Sequence, residues 1–240
     1  MQYNYTRNPA LANPKVRAAL DLGTDRTGVN NAIMFGQCDA SNQPLTKVQA
    51  GYSKTAPKPK YDVAAAKKLL ADAGYPNGLT LKGEAYIPEP YNSFATAMQG
   101  QWAKIGVTVD VTVVPLNPFA QWQPGNYDAY FVASSAYPDM AQTMAETYTQ
   151  NAVRLPFSSD PTTSAMIADI YAKPIGSPAR TALMEKFSTY VAKNPGTSLV
   201  VCQWPIQRLY RSNVLGIDKL TYGMLVGITE FRPLSIKKGA

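Results

Sequence analysis

The stretch "YDVAAAKKLLADAGYPNGLTL", Tyr61 to Leu81, carries a helix, both of its ends and the start of a strand. Asp62 stands at the N-cap, and Ala66, Leu69, Leu70 and Ala73 recur behind it at helical spacing. Gly74 supplies a left-handed closing residue, and Pro76 prevents continuation. Asn77-Gly78 then turns the chain into "LTLKGEAYI". Downstream, Phe94, Met98, Trp102 and Ile105 form one stripe of a second helix, which Gly106 ends. "VTVDVTVV" follows and alternates as a half-buried strand. A short helix is predicted around Pro118 to Gln123, leading into "YDAYFVASSAYPDM", Tyr127 to Met140. Tyr127 to Val132 reads as a buried strand, and the small residues after it resemble a pocket floor at a strand's mouth. Strand, helix, strand, helix, strand is the signature of an α/β sheet with helices packed on it.

The same logic works outward from this unit. "QYNYT" can open the chain as a strand, and Asn13-Pro14 starts a helix with Val16, Ala19 and Leu20 on one face. A further helix is predicted from Arg26 to Phe35. The chain from "GQCDASNQPL" to "KTAPKPK" is loop-like, and longer than compact domains usually tolerate without a functional reason. After Met140 the pattern predicts a polar loop, then helices near Pro161–Ala172 and Pro178–Lys193, the latter with Leu183, Phe187 and Val191 on one face. "TSLVVCQW" and "IQRLYRSNV" read as two last strands before a turn-rich tail.

Composition narrows the function. A chain of 240 residues with 45% hydrophobic and 16% charged content can bury a sound core. No apolar run approaches the ~18 residues that span a bilayer. "MQYNYTRNPA" has neither a basic n-region nor an apolar h-region, so any targeting segment is expected to lie outside these residues. The net charge of +7 raises nucleic-acid binding. However, Lys47, Lys54, Lys58, Lys60, Lys67 and Lys68 fall in the Pro-rich connector and the helix after it, without a basic-aromatic stacking motif. A solvated basic surface accounts for them.

Histidine is absent, which removes Ser-His-Asp and Cys-His nucleophile systems and H-E-x-x-H zinc sites together. The two cysteines, Cys38 and Cys202, lack C-x-x-C spacing; one disulfide and two buried thiols both fit them. Neither phosphate-loop nor dinucleotide glycine pattern occurs, and no cofactor is expected. Paired carboxylates could hydrolyse a glycoside without histidine. The acids nearest in sequence, Asp128, Asp139 and Glu146, read more simply as a turn residue, a helix cap and a solvated helix position.

Several segments together resemble one family. "YDVAAAKKLLADAGYPNGLTL", "MQGQWAKIGVTVDVTVV", "GNYDAYFVASSAYPD" and "YNYTRNPALANPKVRAAL" are similar, in order and spacing, to motifs of the peptide/nickel/opine family of solute-binding proteins, family 5, which serve ABC importers. The resemblance covers nearly the whole chain. It implies a two-lobed clamshell of the type II periplasmic-binding-protein kind, closing on a solute between its lobes. This chain resembles the C-terminal α/β lobe, with a central mixed sheet and helices packed on it. On that basis residues 1–240 are expected to form a single lobe, with 1–212 as its body and 213–240 as a return segment toward an N-terminal lobe. Met1 is then where the lobe is cut from a longer extracytoplasmic protein, periplasmic or lipid-anchored. The expected partners are a small solute, the permease subunits of an ABC transporter and the N-terminal lobe, with no nucleic acid and no catalysis.

Open α/β sheets bind ligands beyond the C-terminal ends of their strands. That places "IPEPYNS" and "VASSAYPDM" on one wall and makes Glu89, Tyr91, Asn92, Ser134, Ser135, Ala136, Tyr137 and Asp139 the candidate ligand-binding residues. Tyr137 can equally be ordinary packing at the domain edge. The family's peptide binders commonly carry aspartate where this chain has Ala136 and tryptophan where it has Ala133. Its dipeptide binders resemble one another in an arginine where this chain has Glu89. Two charge-reading positions are therefore lost, one with its sign reversed. A wall of hydroxyls, amides and acids suits an oligosaccharide, a cationic solute or a longer peptide held through its backbone, rather than a dipeptide read by its ends.

Overall fold

The computed structural model describes residues 1–87, 89–115, 125–132, 137, 139–149, 160–195, 198–203, 210–217 and 234–237. In chain order its elements are β1 (Gln2–Tyr3), α1 (Pro9–Ala12), α2 (Pro14–Leu22), α3 (Arg26–Met34), α4 (Val63–Asp72), β2 (Leu79–Tyr86), α5 (Tyr91–Ala103), β3 (Val107–Val114) and β4 (Ala129–Phe131). There follow α6 (Met140–Tyr148), α7 (Pro161–Tyr171), α8 (Pro178–Lys193), β5 (Val214–Leu215) and β6 (Ser235–Ile236).

The opening unit forms as its residues dictate. Asp62 accepts from the Ala65 N–H at 2.9 Å and starts α4. Gly78 has φ +83, and a Cβ there would overlap the Gly106 carbonyl oxygen, so only glycine lets β2 and β3 start side by side. The sheet is mixed, in the order β1-β4-β2-β3. β2 runs parallel to β3 and β4, while β1 is antiparallel to β4.

Period-2 alternation gives this sheet two faces. On one, Tyr3, Leu81, Ala85, Val107, Val109 and Phe131 pack against α2, α4 and α5. Trp102 is fully buried there, and its indole N–H donates to the Leu20 carbonyl at 3.2 Å and the Thr24 hydroxyl at 3.1 Å. Burial of such a ring with its polar atom satisfied is a large stabilising contribution. The other face carries Gln2, Lys82, Glu84, Tyr86, Thr112 and Tyr130 in register.

A second cluster joins α6, α7 and α8 through Met144, Tyr148, Ile167, Ile170, Met184 and Phe187. The segment from Gly36 to Lys60 bridges the two clusters. Leu45 is buried in the second, Gln43 and Ser53 exchange hydrogen bonds at 3.0 Å, and Ser188 donates to the Gly51 carbonyl at 2.7 Å. The buried Arg26 holds the segment's start, donating to the carbonyls of Ser41 at 3.2 Å and Val200 at 2.8 Å and pairing with Asp21. Side chains thus satisfy a backbone that forms no ladder, which is how so long a loop stays folded.

The cysteines form a disulfide, Cys38–Cys202, with Cα atoms 5.8 Å apart across 164 residues of sequence. Asp39 and Gln203 pair through their backbones beside it, at 2.9 and 3.0 Å.

Three expectations change. α6 replaces part of the polar loop expected after Met140. "TSLVVCQW" forms no ladder among its described residues: Ser198 and Gln203 make isolated bridges to Gln2 and Asp39. Its apolar run packs on the first cluster, where Leu199 is buried and Val201 and Cys202 lie against it. Of "IQRLYRSNV", Val214 enters a short antiparallel ladder with Ile236. The helix expected at Pro118–Gln123 lies outside the described residues.

Candidate functional site

β2, β3 and β4 point their C-terminal ends to one edge of the sheet, where the segments after β2 and β4 emerge. After β2, Ile87 and Glu89 are exposed. Tyr91 and Asn92 open α5, whose Pro90 N-cap makes no side-chain cap bond. Tyr91 meets Tyr86 edge-on, ring centroids 5.6 Å apart, and burial raises the pKa of its hydroxyl. Glu89, Tyr91 and Asn92 are therefore together at this edge, as the sequence predicts.

After β4, Ser134, Ser135 and Ala136 lie outside the described residues. Tyr137 and Asp139 are described, and both turn inward. Tyr137 is buried; its N–H donates to the Thr143 hydroxyl at 2.8 Å and its own hydroxyl donates to Glu146. Asp139 caps α6 by accepting from the Ala141 N–H at 3.0 Å, and pairs with Arg180 at 2.6 Å. Arg180 is itself buried, donates to the Lys173 carbonyl at 2.8 Å and lies 5.4 Å from the Tyr171 ring centroid. Packing at the domain edge is thus the observed role of Tyr137, and the charge of Asp139 is engaged within the fold.

The same geometry separates the three acids of the hydrolase alternative. Asp128 pairs with Arg7 at 3.0 Å and accepts from the Lys82 N–H at 2.8 Å. Asp139 faces Arg180, and Glu146 accepts from Tyr137. Each has its own partner, and no shared water-activating arrangement appears among them. Among the described residues no group of three His, Cys, Asp or Glu side chains could hold a metal ion, and no helix is long and apolar enough to cross a membrane.

One feature at this edge escaped the sequence. Glu84 lies on the second face of β2, directly beside Tyr130 of β4 and Thr112 of β3. It is 1% exposed, and neither carboxylate oxygen has a hydrogen-bond partner among the described residues. Burial raises its pKa; the nearby Tyr86 hydroxyl offsets this in part without reaching hydrogen-bond geometry. Burial likewise pushes the Tyr130 hydroxyl up to about 12. The signal was present in "KGEAY", where alternation sets Glu84 opposite Gly83 and Ala85. Burial of that second face was not legible.

This fold and edge have known counterparts. A model of the family described as bacterial extracellular solute-binding proteins, family 5 Middle, matches residues 1–154. The chain belongs to this family. Among curated solute-binding proteins it is 28% identical over 139 residues to di/tripeptide-binding protein 1 of Pseudomonas aeruginosa, covering 55% of this chain and 26% of that one. It is 33% identical over 108 residues to heme-binding protein A of Haemophilus influenzae, covering 42% of this chain and 20% of the relative. Among solved structures, HbpA2 from Haemophilus parasuis superposes with TM-score 0.78 at 25% identity, over 98% of this chain and 47% of that one. The chain therefore spans about half the length of that solved relative. The structural neighbours are two-lobed periplasmic binding proteins, and this chain shares with them an α/β body with a mixed sheet.

Proposed function

We propose that this chain is the C-terminal lobe of an extracytoplasmic solute-binding protein and supplies one wall of a clamshell that carries its solute to an ABC importer. The observation that carries this is the superposition: nearly all of the chain corresponds to half of a solute-binding protein. The partners are an N-terminal lobe of the same protein and the importer's permease subunits, and the lobe performs no chemistry on its cargo. The protein acts in the periplasm or on the outer face of the membrane through a lipid anchor.

The cargo is a hydroxyl-rich or cationic solute, or a longer peptide held by its backbone, not a dipeptide read by both ends. Ala136 cannot pair with an ammonium and the exposed Glu89 repels a terminal carboxylate. The curated relatives carry names for di/tripeptide and for heme binding, so family membership leaves the cargo open. Mass spectrometry of solute extracted from the natively purified two-lobed protein tests this, followed by competition with dipeptides, longer peptides, oligosaccharides and cationic metabolites. Tight dipeptide binding that survives Glu89→Gln contradicts the assignment of cargo.

A further inference from the structure

We propose that Glu84 is the anchor for a guanidinium group on the solute, an inference that rests on the solute-binding reading above. A buried acid with a structural role has its oxygens hydrogen-bonded or ion-paired. Both Glu84 oxygens are buried and without a hydrogen-bond partner among the described residues, as are Gln2 Oε1 and the Tyr86 hydroxyl. These groups share one face of the sheet. Gln2, Tyr130, Glu84 and Thr112 form a row across β1, β4, β2 and β3, and Tyr86 lies two residues beyond Glu84 toward the strand's C-terminal end. The row offers neutral N–H and O–H donors but no cationic partner for the Glu84 carboxylate.

The basic side chains nearest on this face do not meet the need. Lys82 is exposed, and Arg7 is paired with Asp128. What acts on the Glu84 carboxyl is burial and the Tyr86 hydroxyl. A guanidinium offers five N–H donors in a planar fork that matches a carboxylate bidentately. It also stacks on aromatic faces. Tyr86, Tyr91 and Tyr130 are close enough that Glu84 and the other two rings all act on the Tyr86 hydroxyl. An acid beside clustered tyrosines is the complement of a flat cation, whereas a neutral sugar would leave the charge of the carboxylate uncompensated.

The probes are arginine and its uncharged isostere citrulline, titrated into the chain while the side-chain resonances of Glu84 and Tyr86 are followed by NMR. Arginine is expected to shift both resonances saturably and to bind at least tenfold more tightly than citrulline. Glu84→Gln is expected to abolish that preference while melting at the same or a higher temperature, so that its loss is not misfolding. An absent arginine response, an equal citrulline response, or a preference that survives Glu84→Gln overturns the inference. So does a lowered melting temperature of Glu84→Gln, which marks a structural carboxylate. A neutral solute copurifying with the two-lobed protein overturns this inference too and leaves the solute-binding reading intact.

Discussion

The two faces of β2 follow opposite rules. On one, Leu81 and Ala85 meet Trp102, Met98 and Leu70 in a packed core in which the Trp102 indole N–H is hydrogen-bonded. On the other, one residue along, Glu84 and Tyr86 are as deeply buried but their side-chain oxygens have no hydrogen-bond partner among the described residues. Packing like the first stabilises a fold. An unsatisfied buried acid destabilises one, and such local conflict is what a binding site retains. A single strand thus serves both stability and recognition, with the alternation of the chain separating the two.

The largest test falls on the packed face. Trp102→Ala should cost about 3–5 kcal/mol, because it opens a cavity and removes the indole donor shared by Leu20 and Thr24. Urea unfolding of the variant measures it, and a loss under 1 kcal/mol would remove the distinction between the faces. Next is the disulfide, which ties the loop after α3 to the run before Gln203. Replacing Cys38 and Cys202 by alanine should cost about 2–4 kcal/mol. Solute binding should be nearly unchanged, since neither cysteine belongs to the segments after β2 and β4; calorimetry on the two-lobed variant checks that half.

The third test compares two acids. Asp139→Ala removes both a helix cap and the partner of the buried Arg180, and should cost about 2 kcal/mol. Glu84→Gln should leave stability equal or raise it. The two melting curves, run side by side, should move in different directions, and a matching loss from Glu84→Gln would make the two acids equivalent.

The smallest effect is a slope. The folded pKa of Glu84 is raised above its ordinary 4.5 by burial. Its favourable contribution is therefore complete below about pH 4.5 and is lost as pH rises through the raised value. The Met1 amino group, lowered from 8.0 to about 5 by burial, has the opposite sign, so stability gains as pH rises from about 5 to 8. Subtracting the Glu84→Gln stability profile from that of the parent cancels Met1. The difference should fall with pH above 4.5, and a flat difference would show the acid to be unperturbed.

These regions also differ in how far the sequence disclosed them. α4, α5 and β3 were legible because cap, stripe and alternation are local: Asp62, Gly74, the Phe94–Met98–Trp102 stripe and the valines of "VTVDVTVV" each act within a few residues. α6 was missed because "PDMAQTMAETY" has few strongly apolar residues, although Asp139 was read as a cap. The apolar run before Cys202 looked like a strand because burial and ladder formation share one pattern. Pairing of Cys38 with Cys202 depends on a closure over 164 residues that no local signal carries. At the candidate site, Glu89, Tyr91 and Asn92 were legible from position after a strand. The inward partners of Tyr137 and Asp139, Glu146 and Arg180, were not, because they depend on how α6 and α8 pack.

The central claim is that this chain is one wall of a two-walled solute site. Its most direct test is titration calorimetry of a single solute, the one extracted from the two-lobed protein, against that protein and against this chain alone. Burial from both sides and converging polar groups make such sites tight. The two-lobed protein is therefore expected to bind at least about 100-fold more tightly, a difference of about 2.7 kcal/mol. Equal affinities would contradict the account, because one lobe would then hold the whole site.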